Sequence, residues 1–256
     1  MEMRRLIFII TAILSGIASA SELHFSNQLI KINRQNETGY QAYVSGKTAL
    51  NSAWELGLLA NYIERFRLYE TRLGGLATYR PNDRFFFEMR YLKGQENVQL
   101  LPKDQYGITV YHSWSDGISP FLNYQNSIYS ITSLQTLKLG VEIEKIKNII
   151  IIPHASIGQA KFNDPSETKE VNHLGLKVMY VVEENYSFQV YASKGIEASQ
   201  AIVGRDSQTI ETKTAGFGAS YYTFGQLKLE GLFDYTDLGQ LKNQFLTTTI
   251  NLSWNF

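Results

Sequence analysis

Phe245-Leu-Thr-Thr-Thr-Ile-Asn-Leu-Ser-Trp-Asn-Phe256 decides the fold. Leu246, Thr248, Ile250, Leu252, Trp254 and Phe256 fall on one face, and Phe245, Thr247, Thr249, Asn251, Ser253 and Asn255 on the other. A period of two is that of a β-strand, since successive side chains point to opposite sides. One face is greasy and the other mostly polar. About ten residues is also the length a tilted strand needs to cross a bilayer. The stretch closes on an aromatic residue, so Leu252, Trp254 and Phe256 have the form of the terminal signal read by the barrel-assembly machinery of bacterial outer membranes.

The same alternation recurs toward the N-terminus. Leu227, Leu229, Gly231, Phe233 and Tyr235 alternate with Lys228, Glu230, Leu232 and Asp234. Ala215, Phe217, Ala219 and Tyr221 alternate with Thr214, Gly216, Gly218 and Ser220. Leu137, Leu139, Val141 and Ile143 alternate with Lys138, Gly140, Glu142 and Glu144. Trp54 to Tyr62 follows the same rule, and weaker cases run from Phe25 to Ile32 and from Phe121 to Ile128. About fourteen strands result: 22–33, 38–47, 53–65, 69–80, 84–94, 105–115, 118–127, 134–146, 149–161, 171–183, 186–195, 211–223, 226–236 and 243–256. Twelve would be the count if the poorly alternating segments dropped out. An even number suits a single antiparallel up-and-down transmembrane β-barrel with both ends on the periplasmic side.

The connections give an independent reading. Candidate periplasmic turns at Thr48–Ser52, Pro81–Asp83, Asp116-Gly117, Lys147-Asn148, Glu183–Asn185 and Phe224-Gly225 are short and carry Gly, Asn or Asp. The outward set, Gln95–Asp104, Asn163–Glu170, Ile196–Ile210 and Asp237–Lys242, is longer, with a short link at Phe66–Leu68 as the exception. Outer-membrane barrels sort their loops in this way.

Residues 1–20 read as a secretory signal peptide: basic Arg4 and Arg5, an apolar run from Leu6 to Leu14, and Ala18-Ser19-Ala20 as the cleavage site. Residues 21–256 are then the barrel. Losing Arg4, Arg5 and Glu2 leaves 22 basic and 23 acidic residues. This balance argues against a nucleic-acid partner, which needs a clustered basic surface. The 16 Tyr and 14 Phe suit interfacial girdles. With no Cys, disulfides, thiolate metal sites and a lipid-modified N-terminal Cys are excluded.

If the apolar face meets lipid, the other face lines a lumen. Parity assigns to it Glu55, Arg72, Glu88, Arg90, Lys138, Glu142, Glu144, Lys177, Lys228, Glu230 and Asp234. Both signs are present, so these charges either pair into a network or line a water-filled bore. The lumenal glycines Gly57, Gly74, Gly140, Gly175, Gly216 and Gly218 either leave space there or relieve curvature.

Among the histidines, His112 shares lipid-facing parity with Ile108 and Val110 and is expected to pack at the rim. His173 is expected at the base of the acidic 164–170 loop, within reach of Glu167 or Glu170. His24 and His154 show no Ser or Asp partner at matching height. No catalytic residue, metal site or cofactor is expected, and the chain is read as a non-enzyme. A porin-like channel for polar solutes leads. A filled structural or adhesive barrel is the alternative, and a lipid-modifying enzyme, which needs a His–Ser or His–acid pair at a rim, comes last. Expected partners are outer-membrane lipid, lipopolysaccharide and the assembly machinery.

The whole barrel pattern, and locally Tyr186-Ser-Phe-Gln-Val-Tyr-Ala-Ser-Lys-Gly195, Leu227–Tyr235 and Leu252-Ser-Trp-Asn-Phe256, resembles the YaiO-type family of outer-membrane β-barrels. The resemblance implies a surface-exposed barrel without catalytic residues to carry over, and relatives of such barrels are associated with envelope polysaccharide export. Saccharide-export partners are the corresponding expectation, although the tetratricopeptide region of export porins has no counterpart here.

Overall fold

The computed structural model describes residues 22–255 apart from 33–36, 66–67, 96–100, 115–116, 164–165, 184, 199–208, 224–226 and 240–243. The signal-peptide reading of residues 1–20 and the side chain of Phe256 lie outside the described residues. No described helix is long and apolar enough to cross a membrane, which says nothing of a β-barrel.

Fourteen antiparallel strands form one closed barrel. They are β1 (Glu22–Ile32), β2 (Glu37–Ala49), β3 (Trp54–Arg65), β4 (Leu68–Asn82), β5 (Phe85–Gly94), β6 (Asp104–His112), β7 (Ile118–Ile128), β8 (Thr132–Ile146), β9 (Ile149–Asn163), β10 (Ser166–Val182), β11 (Tyr186–Ala198), β12 (Thr209–Thr223), β13 (Leu227–Asp237) and β14 (Gln244–Asn255). Each strand pairs with its sequence neighbours, and β14 closes on β1 from Glu22↔Asn255 to Ile32↔Phe245. Closure removes both sheet edges, so every spanning strand satisfies its backbone within the ring. The closing strand is the one whose alternation is plainest in the sequence.

The two faces separate by parity. Leu139, Leu174, Phe188, Val190, Phe217 and Ile250 are each at least half exposed and share the outer face. In a bilayer these side chains meet acyl chains rather than water. Aromatic pairs mark the end that carries the chain termini: Trp54 stacks on Tyr79 at 4.5 Å, Phe85 on His112 at 4.2 Å, and Tyr186 meets Tyr221 at 4.9 Å between centroids. His112 is thus a girdle residue. Near the opposite end the outward Tyr40 meets Tyr62 at 6.3 Å. Along β4 Tyr69 and Tyr79 are ten residues apart. At ~3.4 Å rise and ~40° tilt this is ~26 Å along the membrane normal, the height of an apolar band.

Two connections differ from expectation. Asn163–Glu170 is not a loop: β9 runs to Asn163, β10 begins at Ser166, and Ser166 pairs with Asn163. This hairpin continues beyond the apolar band, where a strand needs no greasy face, so its polar sequence resembles a loop. Glu167 and Glu170 consequently have opposite parity on β10 and point to opposite faces of the wall; no cluster of metal-binding side chains occurs among the described residues. The 95–103 connection sends Leu101 inward, buried against Ile63 and Leu68. Its N–H donates to Glu70 Oε2 at 2.7 Å. The Lys147-Asn148 turn is as expected, with Asn148 at φ +66°, a conformation that Asn tolerates better than most residues.

Candidate functional site

Contacts that skip a strand identify the concave face, because side chains from non-adjacent strands converge only there. Arg72 Nη1 on β4 donates to Gln105 Oε1 on β6 at 2.8 Å. Tyr111 on β6 donates to Glu142 Oε2 on β8 at 3.4 Å. Gln189 on β11 donates to Glu230 Oε1 on β13 at 3.3 Å. Register places Glu55, Arg72, Glu88, Arg90, Lys138, Glu142, Lys177, Lys228, Glu230 and Asp234 on this same face. Glu144 lies at the rim, where the β8–β9 register shifts between Ile143 and Ile146.

The lumen has two zones. Toward the end opposite the chain termini its wall is buried and largely apolar. Ile30, Ile32, Ile210, Leu238 and Phe245 form one cluster, and Ala160, Phe162, Val171 and Ala198 another. Arg65, Glu70 and Arg72 are buried beside them, each about 5–6% exposed. The Arg65 guanidinium lies 6.0 Å from the Phe245 ring centroid, β3 reaching β14 across two strands. Tyr129, just beyond β7, is half-buried by surface area but ringed by protein atoms. Desolvation pushes its phenol up to about 12, against the opposing pull of Arg72 and Arg65.

Toward the end that carries the chain termini the lumenal wall is charged and half-exposed. Lys47 pairs with Glu22 at 2.8 Å, Arg90 with Glu88 at 2.6 Å, and Lys228 with Glu230 at 3.3 Å. Glu230 also accepts from Ser220 at 3.1 Å and Asn251 at 2.7 Å. Several lumenal polar atoms, including Arg72 Nε, Gln189 Oε1 and Asp234 Oδ1, are buried without a hydrogen-bond partner among the described residues. Such groups are costly in a dry bore and ordinary in a hydrated one.

Fourteen strands at ~4.8 Å spacing and ~40° tilt put the backbone ring at ~14 Å radius, too wide for single side chains to close alone. The lumenal glycines do not supply the free space. At Gly140 a Cβ would fall 2.5 Å from Phe121 Cε1 and closer still to Cζ, and at Gly175 it would meet the His154 ring. These glycines seat large neighbours. A recess of about 1050 Å³ in the wall is on the lipid side over Ala155, Ala192 and Ala215, and is not part of the lumen.

The histidines depart most from the sequence reading. His173 faces the lumen in mid-strand, 3.8 Å from Glu197 rather than beside Glu167 or Glu170, and its ring is 6.1 Å from that of His154. His24 does have a serine partner: Nδ1 is 2.8 Å from Ser253 Oγ. The closing register aligns the two residues, and this alignment is invisible when the first and last strands are read separately. The pair lacks the other parts of a hydrolytic centre. The nearby carboxylates Glu22 and Glu230 are engaged by Lys47 and Lys228. Among the described residues no hydrogen-bonded carboxylate orients the second ring nitrogen. The adjoining backbone N–H groups lie within paired strands rather than converging on an oxyanion.

No family model matches the chain, and no curated protein matches it. Solved structures do. A channel described as the CymD monoaromatic hydrocarbon channel superposes with TM-score 0.63 at 11% identity, covering 95% of this chain and 90% of that one. A bacterial polysaccharide outer membrane secretin gives 0.59 at 9%, covering 93% and 99%. An anion-selective porin from Comamonas acidovorans gives 0.53 at 9%, covering 93% and 99%. At such identities the likeness is one of fold: the chain is a closed β-barrel of the outer-membrane type.

Proposed function

We propose that this protein is a porin-like outer-membrane channel for small polar solutes, with a wide charged vestibule on the periplasmic side and its narrowest passage toward the outer end. The observation that carries the reading is the lumenal wall of half-exposed charges and partnerless polar atoms inside a ring too wide to be filled by single side chains. Fold neighbours described as a porin and as a channel agree with it. The resemblance to YaiO-type barrels and the likeness to a polysaccharide secretin extend the proposal to saccharide-containing solutes and export partners. Lipopolysaccharide would surround the outer part of the wall.

Liposome swelling tests it. Vesicles holding the refolded mature barrel should swell in isotonic arabinose and in glucose, more slowly for the larger sugar. Vesicles that remain as tight as protein-free controls would remove the channel reading and favour a filled structural barrel. A hydrolytic reading rests on His24 and Ser253 alone and has no further support.

A further inference from the structure

We infer that the lumenal wall built by β8, β9 and β10 is an anion-binding station, with Lys138 and Lys177 as its cationic ligands for a carboxylate or phosphate group on a passing solute. The inference deepens the porin-like reading and rests on it for the identity of the ligand as a solute.

Other lumenal cations with carboxylate partners are Lys47, Arg90, Lys169 and Lys228. Lys138 and Lys177 have no carboxylate within 4 Å among the described residues. Both are half-buried on the concave face. Lys138 has its ammonium 6.0 Å from the Phe121 ring centroid. An ammonium withdrawn from bulk water without a counter-charge is unfavourable, and a mobile anion relieves that cost.

The surroundings fit an oxyanion. Register aligns Lys138 with Ser156, and Ser156 with His173. Two residues toward the periplasm, His154 lies between Gly140 and Gly175. Two residues further, Lys177 extends the wall. His154 therefore stands between the two lysines, against His173, with the Ser156 hydroxyl and the imidazoles as further donors.

The facing acids do not cancel the lysines by contact. Glu142 accepts from Tyr111. Glu230 is held by Lys228, Ser220 and Asn251. Asp234 is three strands from Lys177 along the row Lys177, Tyr191, Gly216, Asp234. Glu197 is beside His173. The wall thus presents two free ammonium groups to the bore.

The test separates binding from conduction. The refolded barrel is reductively methylated with ¹³C, which keeps the lysine charge. Its dimethyl-lysine resonances are assigned with Lys138→Gln and Lys177→Gln. They are then followed during titration with glucuronate, with inorganic phosphate and with neutral glucose. The Lys138 and Lys177 resonances should move with the two anions and not with glucose, while those of Lys47 and Lys228 move less. In planar bilayers under a KCl gradient, the double Lys→Gln barrel should lose anion preference several-fold, and Arg90→Gln should change it little. Lysine resonances unmoved by either anion overturn the station whatever the conductance shows. Anion-dependent shifts in a barrel that conducts nothing would keep the station and remove the channel reading.

Discussion

Two glycines on opposite faces of the wall, Gly140 on β8 and Gly231 on β13, should respond oppositely to the same substitution. Gly140 faces the lumen, where an added Cβ falls 2.5 Å from Phe121 Cε1 and 3.0 Å from His154 Cβ. Gly231 faces lipid and has nothing within 4 Å of that position. Replacing either by Val brings up to ~1 kcal/mol of strand preference. At Gly140 it also forces Phe121 off its seat, an overpacking cost of ~1–3 kcal/mol. Gly140→Val should therefore destabilise by about 1–2 kcal/mol, and Gly231→Val should be neutral or stabilising by up to ~1 kcal/mol. The two sites should differ by about 2 kcal/mol. Urea titration of the barrel refolding into vesicles, followed through its three tryptophans, measures this directly. Removing the displaced ring should relieve the cost, so Phe121→Ala and Gly140→Val should be less than additive by about 1 kcal/mol or more. Equal effects at the two glycines, or strict additivity with Phe121→Ala, would refute the claim that lumenal glycines seat neighbouring rings.

Two further outcomes follow from the two ends of the barrel. Tyr129 keeps its proton in the folded barrel after an unfolded tyrosine, titrating near 10, has lost it. Stability should fall as pH rises from about 10 to about 12, and ultraviolet titration should show one late phenol step that Tyr129→Phe abolishes; a titration unchanged by that substitution would contradict the packing at the outer mouth. Ser253→Ala should cost only ~1 kcal/mol, the usual loss for one part-buried hydrogen bond, and should leave sugar flux intact. Ester hydrolysis by the purified barrel that Ser253→Ala eliminates would establish the His24–Ser253 pair as catalytic instead.

The barrel was legible because lipid imposes a strict demand. Wherever a strand crosses hydrocarbon, alternate positions must be apolar, and β8, β12, β13 and β14 display this in Leu139, Phe217, Phe233 and Ile250. Where the demand lapses, so does the signal. The polar start of β10, Ser166 to Glu170, resembles a loop since it stands beyond the apolar band. Parity also separates the lumenal charges but not their partners. Arg90 and Lys138 look equivalent in sequence, yet Glu88 lies two residues before Arg90 on the same face and neutralises it, while Lys138 has no such neighbour. That i, i+2 spacing was a usable clue. The His24–Ser253 contact had none, because it depends on the register with which the last strand closes on the first. Nor does sequence reveal that Leu101 turns inward onto Glu70, since a Leu-Pro pair in a connection has no periodicity to read.

A porin-like barrel requires one division above all: water inside the wall, lipid outside it, and a narrow zone toward the outer end. The chain has no cysteine, so single-cysteine barrels in intact membranes test this directly with a charged maleimide supplied from the periplasmic side. Lys138→Cys and Lys177→Cys should be modified rapidly, Leu139→Cys only by a lipid-soluble reagent, and Ser127→Cys and Thr212→Cys, both buried in the outer zone, slowly or not at all. A charged reagent that modified Leu139→Cys as fast as Lys138→Cys, or that left Lys138→Cys and Lys177→Cys untouched in a folded barrel, would contradict it.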